Sequence, residues 1–323
     1  MLTYIIKRCV MAVFTLLVLI TIIFILVRLL PGDPFVSEKT KEAIRQRMMQ
    51  YHGFDRPIYE QWLKYMGNLI RGDLGVSLKY LGRSVNSAIA ATFPFSADLG
   101  IKALSFALLV GLFLGIIAAQ KAGRALDYIC IFIAIVGVSA PEFVVGTLIQ
   151  LGFSIKLKWF PATQWLTWRH MVLPVFALSL HTLALIARLT RSSMMEVLNQ
   201  DYILTARAKG LSNFEVIWRH QIRNSILPII TIMGPLVAAV LTGTFVLERI
   251  FAIPGMGKFY VQSVNDLDYT MVLGMTAFYG VFLVAANLLV DILYGIVDPR
   301  IKLAESKHRI SDFEETSDDE ESG

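Results

Sequence analysis

Six long apolar runs constrain the fold of this chain more than any other feature. Each has roughly the 20 residues that an α-helix needs to cross a hydrocarbon core about 30 Å thick. None shows the alternation of polar and apolar residues that is typical of a membrane β-barrel strand. The sequence therefore predicts an all-α polytopic membrane protein with six transmembrane helices. The runs cover residues 9–30, 99–119, 128–153, 171–189, 227–247 and 271–297.

The composition supports this class and argues against others. Of the 323 residues, 55% are hydrophobic and only 17% are charged, whereas about a quarter are charged in soluble domains. The net charge of +5 is modest and unevenly distributed, so we interpret it as a marker of membrane topology and expect no nucleic-acid partner. Cys9 and Cys130 lie in or beside apolar runs without a CxxC pair, which argues against a disulfide framework or a thiolate metal site.

The connections between the runs differ in basic content, and this difference predicts which side each one faces. The loops near 155–169 and 249–270 carry few basic residues. Cytoplasmic connections carry an excess of lysine and arginine, so we expect the connections at 120–127 and 190–226 and both termini to be cytoplasmic. Residues 32–93 are also basic, but long loops cross the membrane largely regardless of their charge. The basic residues assigned to the inner side are Lys121, Arg124, Arg188, Arg191, Arg207, Lys209, Arg219, Arg223, Arg300, Lys302, Lys307 and Arg309.

The runs and their connections predict four regions. Residues 1–31 would form the first, uncleaved transmembrane helix. Residues 32–95 contain helix signals and a Gly-Asp-Leu-Gly turn, so we expect an ordered extracytoplasmic subdomain. Residues 96–300 would hold helices two to six, with a polar connection at about 199–227. Residues 301–323 are acidic and poor in apolar residues, which predicts a disordered cytoplasmic tail.

The polar connection between the fourth and fifth runs has the sequence DYILTARAKGLSNFEVIWRHQIRNSILP. We expect Asp201 to cap a short helix and Gly210 to end it, because glycine adopts the left-handed conformation readily. Ser212 and Glu215 have the spacing of a capping box, which predicts that a second, basic helix starts there. The connection is therefore predicted to be a helix, a sharp turn and another helix.

The residues of this connection leave three interpretations open: binding to lipid headgroups and docking to a protein are about level, and a solvated loop without a partner is the third. The sharp break at Gly210 and the small side chains weakly favour docking to a protein. A basic amphipathic helix can lie on anionic lipid headgroups. A short helix with small side chains can instead dock against another protein, and Thr205, Ala206 and Ala208 would permit a close approach. Arg207 and Lys209 lie near the C-terminal end of the first helix, where positive charge is favourable.

Motifs along nearly the whole chain, up to about residue 303, resemble those of the oligopeptide/dipeptide branch of ATP-binding-cassette importer permeases. Each motif alone is weak, but their order and combination are specific to this family. They are RLLPGDP at 28–34, FDRP at 54–57, GDLGVS at 72–77, SAPEF at 139–143, DYILTARAKGLS at 201–212, ERIF at 248–251 with PGMG at 254–257, NLLVD at 287–291 and DPR at 298–300.

The resemblance implies a permease subunit of an ATP-driven importer for oligopeptides or dipeptides in a prokaryotic inner or plasma membrane. Its implied partners are a second homologous permease, two ABC ATPase subunits and an extracytoplasmic substrate-binding protein. ATP and magnesium would bind to the ATPases, so we expect no cofactor, metal or catalytic residue in this chain. A phosphate loop would require glycine at position 252 and serine or threonine at 259, where Ala252 and Phe259 stand instead.

The resemblance also implies which residues would couple the chain to an ATPase. The general importer pattern places a glutamate where this chain has Leu204, so the contact chemistry departs from that pattern at this position. Separately, Ser139, Glu142 and His181 lie within apolar runs and are candidates for lining the translocation pathway. The predicted coupling residues are Asp201, Tyr202, Thr205, Ala206, Arg207, Ala208, Lys209 and Gly210.

A different class of transporter remains as the alternative. A proton-coupled secondary transporter would use carboxylates inside the membrane as coupling sites, and Glu142 and Asp291 are the candidates. Within the importer family the substrate also stays open, because related permeases transport nickel chelates and glutathione as well as peptides.

Overall fold

The computed structural model describes residues 2–29, 42–80, 82–242 and 245–297, and nearly all regular structure in these ranges is helical. This confirms the predicted all-α class. A π-helical segment, Gln150–Lys156, follows α6, and another, Val216–Ile222, lies between α9 and α10. The α-helices are α1 (Leu2–Leu29), α2 (Glu42–His52), α3 (Ile58–Ile70), α4 (Val85–Gln120), α5 (Ala125–Ser139), α6 (Glu142–Ile149), α7 (Trp168–Leu198), α8 (Asp201–Ala208), α9 (Asn213–Glu215), α10 (Arg223–Ser225), α11 (Leu227–Thr242), α12 (Phe245–Ile250), α13 (Met256–Asn265) and α14 (Tyr269–Val297).

Four of the described helices, α1, α4, α7 and α14, are long and apolar enough to cross a membrane. A fifth span results if α5 and the segment from α6 to Lys156 count together. The apolar part of α11 is shorter, at Leu227–Val237. The chain is therefore a multi-pass membrane protein, while the count of six spans stays a prediction.

The third apolar run is a bent pair of helices, with an angle of 106° between them. α5 ends at Ser139 and α6 starts at Glu142, with Ala140 in an extended conformation between them. Pro141 explains this break: it has no N–H to donate, and its ring disfavours a helical conformation of the preceding residue. Hydropathy alone could not distinguish this arrangement from one straight span.

α4 begins at Val85, well before the apolar run predicted to start at residue 99. Ser84 caps the helix, since its side-chain oxygen accepts a hydrogen bond from the Ser87 N–H at 3.1 Å. A helix of 36 residues is about 54 Å long, more than the hydrocarbon core requires. Its first turns can therefore lie outside the hydrocarbon, and the predicted division at residue 95 stays a prediction.

The segment before α4 is fastened to the start of α14. Asp268 is fully buried, and its carboxylate accepts hydrogen bonds from the Ser77 hydroxyl and from the N–H groups of Leu78 (3.1 Å) and Met271 (3.2 Å). Tyr80 donates a hydrogen bond to Asp266 at 3.0 Å, and this bond raises the pKa of the Tyr80 hydroxyl. The part of the segment around Ser77, Leu78 and Tyr80 is therefore held against the helical bundle.

A buried carboxylate also organises the turn between α12 and α13. Glu248 is fully buried and accepts a hydrogen bond from the Gly257 N–H at 2.7 Å. The next N–H towards the start of α13, that of Met256, donates to the Ser96 hydroxyl of α4 at 2.9 Å. The first, otherwise unpaired N–H groups of α13 are thus satisfied by side chains, one of them negatively charged, which stabilises the helix N-terminus.

α7 packs most closely on α4 through two glycines of α4. A Cβ atom on Gly111 would lie 2.9 Å from the Leu183 carbonyl oxygen, and one on Gly115 would lie 2.5 Å from Thr190 Cβ. Small residues permit this approach in a membrane, where van der Waals packing holds helices together. The two helices therefore form a closely packed unit at the centre of the fold.

We expect Gly115→Ala to destabilise the protein by about 1–3 kcal/mol, because the added methyl group overlaps α7. The midpoint of thermal unfolding of the purified protein in detergent measures this effect. The matched control is Gly67→Ala in α3, where a Cβ atom meets no heavy atom within 4 Å. Equal midpoints for the two variants would contradict the close α4–α7 contact.

Candidate partner-docking site

The polar connection between α7 and α11 forms two helical pieces around a sharp turn, as predicted. The first piece is α8; the second, which we call the basic helix, comprises α9, the π-helical segment and α10, residues 213–225. The predicted cap is wrong by one residue: Gln200 occupies the N-cap position with an extended backbone, and Asp201 is the first helical residue. Asp201 still stabilises the first turn, because a carboxylate there opposes the positive end of the helix dipole.

The turn after α8 is rigidly defined by backbone hydrogen bonds. Gly210 has a φ of +78°, the left-handed conformation that glycine was predicted to supply. Its N–H donates to the Arg207 carbonyl at 3.0 Å, and the Leu211 N–H donates to the Ala206 carbonyl at 3.3 Å. These two bonds form a Schellman motif, and the packing of Leu211 with Ala206 supplies its usual apolar contact.

The predicted capping box at the start of the basic helix is confirmed. The Ser212 hydroxyl accepts from the Glu215 N–H at 3.3 Å, and the Glu215 carboxylate accepts from the Ser212 N–H at 3.1 Å. The hydrogen bonds that the Glu215 carboxylate accepts from the Ser212 N–H and from the Ser212 hydroxyl hold the pKa of Glu215 below its usual value. The chain leaves the turn in a fixed direction, because both helix ends are capped.

The inner face of α8 packs against the rest of the chain. Ile203 is fully buried and Ala206 is 5% exposed. Both lie in one apolar cluster with Val197 of α7 and Val216 of the basic helix. Ala206, one of the predicted coupling residues, therefore anchors α8 to its own chain rather than facing water.

The outer face of α8 is open to solvent. Leu204 is 60% exposed, and it forms an apolar ridge with Ala208 one turn later, flanked by Thr205 and Lys209. Sequence reasoning noted Leu204 only as a departure from the family pattern. Its exposure on the outer face makes it a candidate docking residue. Apart from the buried Ala206, the predicted coupling residues are exposed: Asp201, Tyr202, Thr205, Arg207, Ala208, Lys209 and Gly210.

A hydrogen bond between two glutamines connects the basic helix to the membrane bundle. Gln221 is 1% exposed, and its side-chain oxygen accepts from the Gln120 Nε2 at 2.6 Å. Gln120 is the last residue of α4. The polar connection is therefore tied to α4 as well as to α7.

A buried ion pair joins α5 to α7 on the same side of the bundle. The Asp127 carboxylate accepts from Arg191 Nε at 2.6 Å and from Nη2 at 2.8 Å. It also accepts from the Gly123 N–H at 2.9 Å. The Asp127 side chain is only 2% exposed. Sequence reasoning missed this pair; the available signal was an acidic residue at the start of an apolar run and an arginine near the end of the next.

The pathway candidates lie in different surroundings. A cavity of about 450 Å³ opens between α4, α5 and α7, and Ser139, Arg188 and Ser192 contribute polar groups to its lining. Glu142 and His181 are half-buried, and neither belongs to the lining of this cavity. Of the three candidates, only Ser139 therefore lines this cavity. The side chain of Asp291 and the acidic tail, residues 301–323, lie outside the described residues.

Comparison with known proteins places these features in a family. The model for the binding-protein-dependent transport system inner membrane component matches residues 111–303, and the model for its N-terminal part matches residues 1–93. The dipeptide transport system permease protein DppB of Bacillus subtilis is 47% identical over 301 residues, covering 93% of this chain and 98% of the relative. The oligopeptide transport system permease protein OppB of Escherichia coli K12 is 42% identical over 306 residues, covering 94% of this chain and all of the relative.

Two solved structures share the fold. The methionine ABC transporter MetNI, in inward-facing conformations, matches with a TM-score of 0.51 at 12% identity, covering 65% of this chain and 94% of the matched chain. An amino acid ABC transporter with histidines matches with a TM-score of 0.52 at 17% identity, covering 64% and 92%. Both matches concern the fold alone.

We expect Arg191→Gln to destabilise the protein by about 2–3 kcal/mol, because the Asp127 carboxylate would stay buried without its partner. This value is below the usual cost of breaking a buried pair, since the Arg191 side chain is 30% exposed. Chemical denaturation in detergent gives the change in the free energy of unfolding.

Two further variants test the assignment to the pair. Arg188→Gln removes the same charge from an exposed neighbour one turn away, and it should change stability by less than about 0.5 kcal/mol. The double variant Asp127→Asn with Arg191→Gln should recover most of the loss, because no buried charge is left unpaired. Additive losses in the double variant would contradict this account.

Proposed function

This chain belongs to the family of binding-protein-dependent transport system inner membrane components, and on that premise we propose that it is the permease subunit of an ATP-driven importer of dipeptides or oligopeptides. The peptide class comes from the names of its relatives, which are dipeptide and oligopeptide transport permeases. Those relatives do not support the proton-coupled alternative. In this proposal the chain contributes one part of the translocation pathway, and a second, homologous permease contributes the other.

The observation that carries the proposal is that α8 is packed against its own chain on one face and exposed to water on the other. Its inner face is buried through Ile203 and Ala206, and its end is fixed by the turn at Gly210. Its outer face, with Leu204 at the centre, meets water. A short helix held on one side and free on the other suits docking into a groove of a partner. The proposed partner is an ABC ATPase subunit, which carries the ATP and magnesium.

The contacts around α8 provide a route by which ATPase movement reaches the spans. A displacement of α8 would be transmitted to α7 through the apolar cluster that contains Ile203 and Val197. It would be transmitted to α4 through the basic helix, whose Gln221 is hydrogen-bonded to Gln120. The ion pair between Asp127 and Arg191 joins α5 to the same unit. Closely packed elements move as rigid bodies rather than deforming continuously, so α4, α5 and α7 would shift together and change the access of the pathway.

The proposed topology places α8 on the cytoplasmic side with both termini. The basic residues of the polar connection and of the turn between α4 and α5 support this orientation through the positive-inside bias. The segment fastened to Asp268 then lies outside the cell, where an extracytoplasmic binding protein would deliver the peptide. The chain itself acts as a transport subunit, and hydrolysis belongs to its partners.

We expect Leu204→Asp to weaken ATPase docking by roughly 30-fold, because a charge at the centre of an apolar contact costs about 2 kcal/mol or more. The measurement is the amount of ATPase retained when the complex is purified through this chain, together with peptide-stimulated ATP hydrolysis in vesicles.

Leu166→Asp is the matched control, because Leu166 is 73% exposed and lies in a loop predicted on the opposite side of the membrane. It should retain both ATPase subunits. Normal retention and normal peptide-stimulated hydrolysis in Leu204→Asp would refute docking through the outer face of α8.

A further inference from the structure

Two aromatic side chains of the basic helix are exposed on its surface. Phe214 is 73% exposed and Trp218 is 65% exposed. Their rings stack with an interplanar angle of 3° and centroids 6.4 Å apart. A large exposed apolar surface of this kind marks an interaction site rather than a solvated face. The docking face of α8 does not include either ring.

Basic side chains lie directly beside the aromatic pair. A surface cleft of about 630 Å³ is lined by Trp218, Arg219, His220, Arg223 and Asn224. Arg219 and Arg223 are exposed, and the described part of the chain offers neither of them a salt-bridge partner. Glu215 lies near Arg219 but is engaged by the Ser212 hydroxyl at 2.9 Å. The cleft therefore presents two arginines to an external anion.

The position of the cleft relative to the membrane follows from one hydrogen bond. Gln221 bonds to Gln120, and Gln120 stands where the apolar sequence of α4 ends and Lys121 begins the polar turn. Trp218 precedes Gln221 by three residues, about 4 Å along a helix. The apolar helix α11 starts at Leu227, immediately after the basic helix. The cleft is thus level with the boundary between hydrocarbon and headgroups.

We propose that this cleft binds the headgroup of an anionic phospholipid, with Arg219 and Arg223 on the phosphate and the Phe214–Trp218 pair in the interfacial layer. Arginines form charge-assisted hydrogen bonds with phosphate oxygens. Tryptophan and its aromatic neighbours are favoured at headgroup level, and basic residues there are attracted to the anionic cytoplasmic leaflet. The inference rests on the topology of the proposed function, which places the cleft at that leaflet.

The aromatic pair distinguishes this occupant from an acidic peptide. An acidic segment, such as the tail at residues 311–323, would satisfy the arginines, but its single aromatic residue, Phe313, leaves most of the ring surface in water. A bilayer covers both the charges and the rings. The two helical pieces then have separate roles: the basic helix rests on the membrane while α8 projects towards the ATPase.

Quenching of Trp218 fluorescence by brominated lipids in the reconstituted complex tests the proposal. Vesicles contain either brominated phosphatidylglycerol, which is anionic, or brominated phosphatidylcholine. The fluorescence of Trp218 is obtained as the difference between the emission of the natural protein and that of Trp218→Phe. We expect quenching at a lower mole fraction of the anionic lipid. Arg219→Gln with Arg223→Gln should raise the half-maximal mole fraction by roughly 30-fold, because each arginine contributes about 1 kcal/mol at the anionic leaflet. This change appears as loss of the preference for the anionic lipid.

The matched control is Lys121→Gln with Arg124→Gln, which removes the same charge from the neighbouring turn, at residues that do not line the cleft. It should leave the quenching of Trp218 unchanged. Equal quenching by the two lipids overturns the proposal. So does a several-fold increase in quenching after removal of residues 311–323, which would identify the tail as the occupant.

Two further outcomes distinguish a lipid site from a free-phosphate site, and failure of the lipid site from failure of the proposed function. In vesicles of phosphatidylcholine alone, protection of Trp218 from an aqueous quencher by glycerol phosphate would identify a free phosphate as the ligand and overturn the lipid assignment. Peptide-stimulated ATP hydrolysis is recorded in the same vesicles. Intact hydrolysis without a lipid effect on Trp218 overturns the lipid site alone, whereas absent hydrolysis in the natural complex contradicts the proposed function.

Discussion

The structure depends on how closely α7 approaches its neighbours. Gly111 and Gly115 of α4 contact α7 on one side, and a Cβ atom on Gly137 of α5 would lie 2.9 Å from Ala184 Cβ. In a bilayer the lipid tails are as apolar as the side chains, so helices associate through van der Waals packing rather than through the hydrophobic effect. Because glycine has no side chain, each of these positions lets more backbone and side-chain atoms of the two helices come into contact. The result is a compact unit of three helices, and α8 extends from the end of its central member.

The buried polar groups connect elements that are distant in the sequence. Asp127 and Arg191 join α5 to α7, whereas Gln120 and Gln221 join α4 to the basic helix. Asp268 fixes the opposite end of the molecule by binding the segment before α4. An unpaired polar group is costly in an apolar interior, so each of these contacts specifies one arrangement of the elements it joins. The proposed docking element, α8, is thereby attached to the bundle at several points.

The connection between α7 and α11 offers a separate surface to each of the two proposed partners, an ATPase and a lipid. α8 presents a small face with an apolar ridge of Leu204 and Ala208, flanked by polar side chains, which suits a protein partner. The basic helix presents stacked rings and two exposed arginines, which suit the proposed lipid headgroup. Gly210 separates the two pieces, because its left-handed conformation lets them point in different directions. A single segment can therefore serve both surfaces without conflict.

The sequence by itself determined the helical class, the apolar runs and the local form of the polar connection. These features depend on hydropathy and on capping between residues three to five apart, so Gly210, Ser212 and Glu215 were assigned correctly. The N-cap was displaced by one residue, because backbone conformation rather than residue type decides where a helix begins. Nothing local distinguished Ala206, which is buried, from Leu204, which is exposed.

Only the tertiary structure decided the pairing of Asp127 with Arg191 and of Gln120 with Gln221, because each contact joins residues far apart in the chain. It also decided the bend at Pro141 and the face of the basic helix. Val216 and Gln221 are five positions apart, a spacing that places residues on different faces of an α-helix, yet both are buried. The π-helical segment that contains them has a wider turn, which brings them to the same face. The period of an α-helix predicts which residues of a segment share one face, but packing against α4 and α7 buries a different set of residues here.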